Sequence, residues 1–259
     1  MTVDNLVAAL DLPSAARVDR RVPKTLLVEH GAPTAADKRH INERIELLTW
    51  VAALKPATAG VPEYRDEGRE YLEIAVLQMS LRRADDGGTS AGGRLIELVH
   101  RAVPYPVILI ADDRGARSVS LSAAHTRWSE GEACKTVLDG EVVAVEWPDG
   151  SAGLSTTERE SLALARQPRA SMFAAYQGWI GVLVAMLAGR ITGAFSPVPS
   201  SERTAERLAA LQEWEQIEAE MVRLRIAGKK EKQISRQVEL NLALKRLEGR
   251  RGAVRERLQ

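Results

Sequence analysis

Two heptad patterns near the end of the chain constrain its fold more than any other feature. In the first, apolar residues follow one another at alternating steps of four and three: Ala210, Trp214, Ile217, Met221 and Leu224. The second has the same steps and a single polar member: Leu240, Leu244, Leu247, Arg251, Val254 and Leu258. Residues at such steps share one face of an α-helix, and that face packs against a second helix of the same kind.

The two patterns predict helices over about Glu202–Ala227 and Glu231–Leu258. Gly228 lies between them, and glycine is the residue type favoured just beyond a helix C-terminus. We therefore expect residues 201–259 to form a long, coiled-coil-like antiparallel hairpin with Gly228, Lys229 and Lys230 at its tip. Trp214, Ile217, Met221, Leu240, Leu244 and Leu247 are the expected helix-pairing residues.

The hairpin also carries the positive charge of the chain. Residues 221–259 hold 12 Lys and Arg against 4 Asp and Glu, whereas residues 1–220 hold 24 against 31. The formal net charge of +1 thus combines +8 at one end with −7 in the rest. A basic helical segment on an acidic body is typical of a protein that binds an anionic partner. The alternative is a solvated face that only keeps the hairpin soluble.

The predicted binding residues cluster around the tip: Arg223, Arg225, Lys229, Lys230, Lys232 and Arg236. Cations without a base-reading motif contact the phosphate backbone, which carries no sequence information. We expect DNA to be held by phosphate contacts, or an acidic protein surface to be held in the same way.

The rest of the sequence predicts an α+β fold. Tyr71–Leu81 and Val107–Ala111 are rich in strand-forming residues and apolar on both faces, as in buried strands. Thr34 followed by Asp37 is typical of a helix N-terminus. We predict an α+β domain with a mixed or antiparallel sheet and helices over residues 1–150. A helical connector over 151–200 and the basic hairpin over 201–259 follow.

Several functional classes are disfavoured. Cys134 is the single cysteine, so no internal disulfide is expected, which fits a reducing compartment. The N-terminus has no basic segment of signal-peptide type, and the apolar stretch Trp179–Leu187 is too short to span a bilayer. We expect a cytoplasmic protein with no membrane association.

Motifs for cofactors and metals are also missing from the sequence. The four histidines lack metal-site spacing. The Gly-rich segment Asp85–Gly93 does not end in the Gly-Lys-Ser/Thr of a phosphate-binding loop and is predicted to be a flexible loop. We expect no cofactor and no metal.

Carboxylates leave one enzymatic alternative open. Glu73 on a predicted strand and Asp112 at the end of another would hold Mg²⁺ in a divergent nuclease if they converged with a lysine such as Lys24. The lysine that usually follows the strand carboxylate by two residues is absent, because Ala75 stands there. Asp112 and Asp113 are more simply explained as turn-forming residues.

Five segments of the chain carry a resemblance to a known family: Arg20–Lys24, Tyr71–Val76, His100–Val107, Lys230–Ile234 and Val238–Asn241. They are similar to an uncharacterised bacterial family, domain of unknown function 4391. The family has no assigned activity and no agreed catalytic residues. Its members are often encoded beside helicases and DNA methyltransferases in restriction or phage-defence loci. The resemblance thus implies a role next to DNA-processing enzymes.

Three functions remain, and the first is the leading expectation. We expect the chain not to be an enzyme but an accessory or adaptor subunit of a restriction or phage-defence system, beside a helicase or DNA methyltransferase. Its N-terminal domain would dock that enzyme, and its hairpin would contact DNA or an acidic surface of that enzyme. The alternatives are a Mg²⁺-dependent nuclease and a structural protein that forms homo-oligomers through its helices.

Overall fold

A computed structural model describes residues 1–83, 91–131, 136–198 and 200–259. Contacts between residues group the chain into two compact units, Met1–Leu183 and Val184–Gln259. Helices form 52% of the described residues and strands 21%, which confirms the predicted α+β class. The predicted loop Asp85–Gly93 lies largely outside the described residues, as does Cys134.

A mixed sheet forms the centre of the first unit. Its strands in chain order are β1 (Arg17–Arg21), β2 (Ile45–Leu54), β5 (Ile74–Leu81), β6 (Val107–Asp113), β7 (Ser118–Ala123) and β10 (Val143–Pro148). They lie side by side in the order β1-β2-β5-β6-β7-β10. β5 and β6 are parallel, and the other neighbours are antiparallel. A parallel pair requires a crossover, and α5 (Ala91–Ala102) supplies it.

Two small hairpins flank the sheet: β3 (Tyr64–Arg65) with β4 (Glu70–Tyr71), and β8 (Thr126–Trp128) with β9 (Thr136–Leu138). The first corrects the sequence analysis, which predicted one strand over Tyr71–Leu81. Tyr71 instead pairs with Tyr64, and the central strand begins afresh at Ile74. Glu73 therefore precedes β5 rather than lying within it.

The first unit also contains short helices: α1 (Val3–Ala9), α2 (Lys24–His30), α3 (Ala35–Arg44), α4 (Pro56–Ala59) and α6 (Thr156–Leu162). The predicted cap of α3 is present, since the Thr34 hydroxyl accepts a hydrogen bond from the Asp37 amide at 3.1 Å. Asp37 also binds the Arg94 guanidinium through both oxygens, at 3.0 and 3.1 Å. These hydrogen bonds, with that of Arg94 foremost, lower the pKa of Asp37 to about 2 and join α3 to α5.

A large core cluster lies between α2, α3, α5 and the sheet. Leu95, Leu98 and Val99 of α5 are buried against β5 and β6. Their i, i+3, i+4 spacing puts them on one helix face. Seven of the eight side chains of β5 are buried. This is expected of a strand that has neighbours on both edges and apolar residues packed on both faces.

The longest apolar helix is α7 (Met172–Thr192). It is the one helix in the described part of the chain with the length and composition to cross a membrane. However, 61% of its apolar window is buried inside the protein, as in the core helix of a soluble protein. Trp179 and Tyr176 are fully buried on it.

The second unit contains α8 (Ser201–Lys230) and α9 (Ile234–Leu258), which pack against each other. This packing confirms the predicted helical hairpin.

His100 gives the first unit a testable pH dependence. It is buried on α5, where its Nε2 lies 3.0 Å from the Ser122 hydroxyl. Burial lowers its pKa from 6.5 to about 3. Between these values the unfolded chain binds a proton that the folded chain does not, so stability falls as the pH falls. From pH 7 to pH 5 we expect His100 alone to lower the unfolding free energy by about 2 kcal/mol.

Urea unfolding of wild type and His100→Gln at both pH values tests this. The glutamine variant starts less stable, but its stability should change less between pH 7 and pH 5. An equal loss in both proteins would show that His100 does not cause it.

Candidate nucleic-acid interface

The heptad residues of α8 and α9, which form the predicted seam, are buried or half-buried. Ala210, Ile217 and Met221 of α8 are buried, as are Val254 and Leu258 of α9. The other seam residues are half-buried: Trp214, Leu224, Leu240, Leu244, Leu247 and Arg251. Both heptad patterns thus lie on the less exposed faces of their helices, and burial is deepest far from the turn.

Arginines of α9 bind glutamates of α8 in the half of the hairpin far from the turn. The Glu213 carboxylate accepts from Arg257 at 2.6 Å and from Arg250 at 3.0 Å. Arg251 donates to Glu218 at 2.9 Å, and its guanidinium carbon lies 5.8 Å from the centre of the Trp214 ring. Arg257 and then Arg250 lower the pKa of Glu213. Three arginines in this half therefore join the two helices.

The turn differs from the predicted one. α8 continues through Gly228 and ends at Lys230, so Gly228, Lys229 and Lys230 belong to the helix rather than to the turn. Glu231 is extended (φ −75°, ψ 134°), and its carboxylate accepts from the amides of Lys232 and Gln233 at 2.8 and 2.9 Å. The side-chain amide of Gln237 donates to the Glu231 carbonyl at 2.7 Å. A carboxylate can close this turn without a residue at positive φ, which is why the glycine is not needed there.

The cations around the turn fall into two groups. Arg223 pairs with Glu220 at 2.7 Å, and Arg236 lies 3.9 Å from Glu231. The other four predicted binding residues are exposed and have no ion pair within the described residues: Arg225, Lys229, Lys230 and Lys232. Lys245 and Arg246 of α9 share this condition.

The end of the hairpin thus has a strong positive excess. Residues 222–246 hold eight Lys and Arg and two Asp and Glu, a net charge of +6. One of the two acids, Glu231, is engaged by the Gln233 and Lys232 amides, which lower its pKa. We call this segment, residues 222–246, the cationic tip.

The candidate nuclease residues are not brought together. Glu73 precedes the start of β5, while Asp112 lies beside Ser80 near the ends of β5 and β6. At about 3.3 Å per residue the two carboxylates are about 20 Å apart along the strands. Glu73 instead lies 3.3 Å from the Lys55 ammonium. Asp112 belongs to β6, not to a turn, and the backbone reverses afterwards over Arg114–Arg117.

Lys24 is also remote from Glu73. Its ammonium donates to the Asn42 carbonyl at 3.2 Å. Burial and then the charge of Arg82, which follows the far end of β5, lower its pKa. Within the described ranges, no group of three His, Cys, Asp or Glu side chains is arranged to hold a metal ion. The geometry therefore corrects the hypothesis of a site built from Glu73, Asp112 and Lys24.

Comparison with known proteins gives one match. The family model for a domain of unknown function (DUF4391) matches residues 10–250, which include almost all of the first unit and the whole cationic tip. The chain belongs to the DUF4391 family. No curated protein and no solved structure matches it.

The first unit of this DUF4391 protein contains a buried polar network that sequence reasoning missed. The Tyr71 hydroxyl lies 2.6 Å from His125 Nδ1, and His125 Nε2 lies 2.6 Å from the Gln177 amide oxygen. Phe173 and Tyr176 of α7 pack against both rings. Burial lowers the pKa of His125 and raises that of Tyr71 to about 12. The network joins α7 to β4 and to the segment that follows β7.

Proposed function

We propose that this DUF4391 protein is a non-enzymatic accessory subunit that contacts DNA phosphates through the cationic tip. One observation carries the proposal: Arg225, Lys229, Lys230 and Lys232 are exposed and lack ion pairs in the described part of the chain. Cations of this kind gain most from a phosphate backbone, because binding releases the counterions condensed on the DNA.

The distribution of charge along the hairpin supports this proposal over simple solubility. Far from the turn, arginines are held by Glu213 and Glu218 across the helix pair. Near the turn, the cations outnumber their available carboxylates. A sequence that needed only a soluble hairpin would gain as much from mixed charges at both ends.

The suggested partner enzymes rest on the family resemblance. A helicase or DNA methyltransferase of a restriction or phage-defence system would bind the first unit, and the cationic tip would hold DNA beside that enzyme. A nuclease is less well supported, because Glu73 and Asp112 lie at opposite ends of the parallel strand pair.

Binding to duplexes of unrelated sequence tests the proposal. We expect affinities within about threefold of one another, since phosphate contacts carry no sequence information. Supercoiled plasmid incubated with the protein and Mg²⁺ should stay intact. Fluorescence anisotropy at low salt and gel analysis of the plasmid measure both outcomes. Absence of binding, or cleaved plasmid, would contradict the proposal.

A further inference from the structure

Five large apolar side chains of the cationic tip face solvent. Among the described residues, eight large apolar side chains are exposed, and five of these eight lie in the cationic tip. The exposed fractions of these five are 50–78%. The five are Val222, Ile226, Ile234, Val238 and Leu242. Exposed apolar side chains that cluster, unlike single ones, mark interaction sites on soluble proteins.

These side chains form one stripe on each helix. Val222 and Ile226 are four residues apart on α8, and Ile234, Val238 and Leu242 follow the same step over two turns of α9. Residues four apart lie above one another on a helix. None of them belongs to the seam, which Met221, Leu240 and Leu244 occupy. The hairpin itself therefore leaves both stripes uncovered.

The two stripes extend on the same side of the hairpin. At about 100° per residue, Val222 and Ile234 are each rotated by about 100–120° from the centre of their seam, in the same sense. In an antiparallel pair, equal rotation in the same sense brings both residues to one side. Val238, Ile226 and Leu242 continue from this side around the outside of the hairpin.

Cations border the stripes. Arg225 and Lys229 lie beside Val222 and Ile226 on α8, and Lys245 lies beside Leu242 on α9; all three are exposed. None has an ion pair among the residues that the structure describes. A partner that covers the apolar side chains must therefore bring carboxylates to these positions. A second copy of the chain would bring another +6 instead.

We propose that the apolar stripes of the cationic tip bind an amphipathic helix of a partner protein, whose apolar face is bordered by Asp and Glu. This partner packs as an additional helix against the hairpin, with its carboxylates on Arg225, Lys229 and Lys245, and Lys230 and Lys232 are left for DNA phosphates. The inference deepens the accessory role proposed above and rests on it for the existence of a protein partner. It does not require DNA to bind.

A synthetic helix tests this directly. The probe is a fluorescent four-heptad peptide with Leu at the a and d positions and Glu at e and g, titrated with the full 259-residue chain. We expect saturable binding. Ile234→Ser with Val238→Ser should weaken it at least tenfold, without loss of helical circular dichroism, because both side chains are exposed. The matched control is Leu26→Ser with Leu47→Ser, two exposed apolar residues of the first unit, which should bind the peptide as wild type does.

Two further comparisons identify the occupant. A peptide of the same composition with scrambled leucines should bind at least tenfold more weakly. Equal binding would show that charge alone is responsible and would overturn the inference. Failure of the Glu peptide to bind would also overturn the inference. The same holds if sedimentation shows that the wild type is a dimer and that the Ile234→Ser, Val238→Ser variant is not.

DNA binding by the same variant separates this inference from the proposed function. It should stay unchanged, because the phosphate contacts come from lysines and arginines. If the variant loses peptide binding and keeps DNA binding, the inference is supported and the proposed function is unaffected. If neither the wild type nor the variant binds DNA, the proposed function fails, but the peptide result still stands.

Discussion

Replacing Lys229, Lys230 and Lys232 with glutamate is expected to weaken duplex DNA binding by at least 100-fold at about 0.1 M salt. Each phosphate contact contributes roughly a factor of ten at that concentration through counterion release, and three glutamates add repulsion. All three lysines are exposed, so the fold should be retained. Fluorescence anisotropy measures the affinity, and circular dichroism checks that the hairpin is still helical.

The control is a charge reversal of equal size elsewhere. Lys38, Arg159 and Arg166 of the first unit are exposed, and their change to glutamate alters the net charge by the same amount. We expect a loss of less than about tenfold, from the overall field alone. Equal losses in the two triple variants would mean that the tip is not the binding surface.

Replacing Trp179 with alanine is expected to destabilise the first unit by about 3–5 kcal/mol, the usual cost of truncating a large buried aromatic side chain. Trp179 is 1% exposed on α7, and its indole Nε1 donates to the Leu162 carbonyl at the end of α6 at 2.8 Å. The truncation removes packing and leaves that carbonyl without its donor. Urea unfolding, followed by circular dichroism, measures the loss.

Trp179→Phe separates the two contributions. It keeps much of the apolar contact but not the donor, so we expect a loss of about 1–3 kcal/mol. Trp128→Ala is the control, because this half-buried residue should cost less than either. A Trp179→Ala variant as stable as wild type would contradict the packing described for α7.

The elements with strong local signals could be predicted from the sequence. The heptad steps from Ala210 to Leu258 specify two paired helices, because residues three or four positions apart lie on the same face of a helix. The Thr34 and Asp37 pair specifies the start of α3. Both depend on residues within a few positions of each other, so one sequence is sufficient to recognise them.

Features that depend on distant partners could not be predicted. The Gly228 signal predicted a helix end, but Glu231 and Gln237 close the turn three residues later through hydrogen bonds to the backbone. Tyr71 and His125 are far apart in sequence and meet because β4 and the segment after β7 both approach α7. Whether tip cations lack carboxylate partners also depends on packing, because Arg250 and Arg225 look alike in the sequence.

The salt dependence of DNA affinity in wild type and in the Lys229, Lys230 and Lys232 triple variant tests the central claim most directly. For phosphate contacts, the slope of log affinity against log salt is about −0.9 per contact. Wild type should therefore have a slope steeper than the variant by about 2–3. Parallel lines for the two proteins would contradict the assignment of the cationic tip as a phosphate-binding surface.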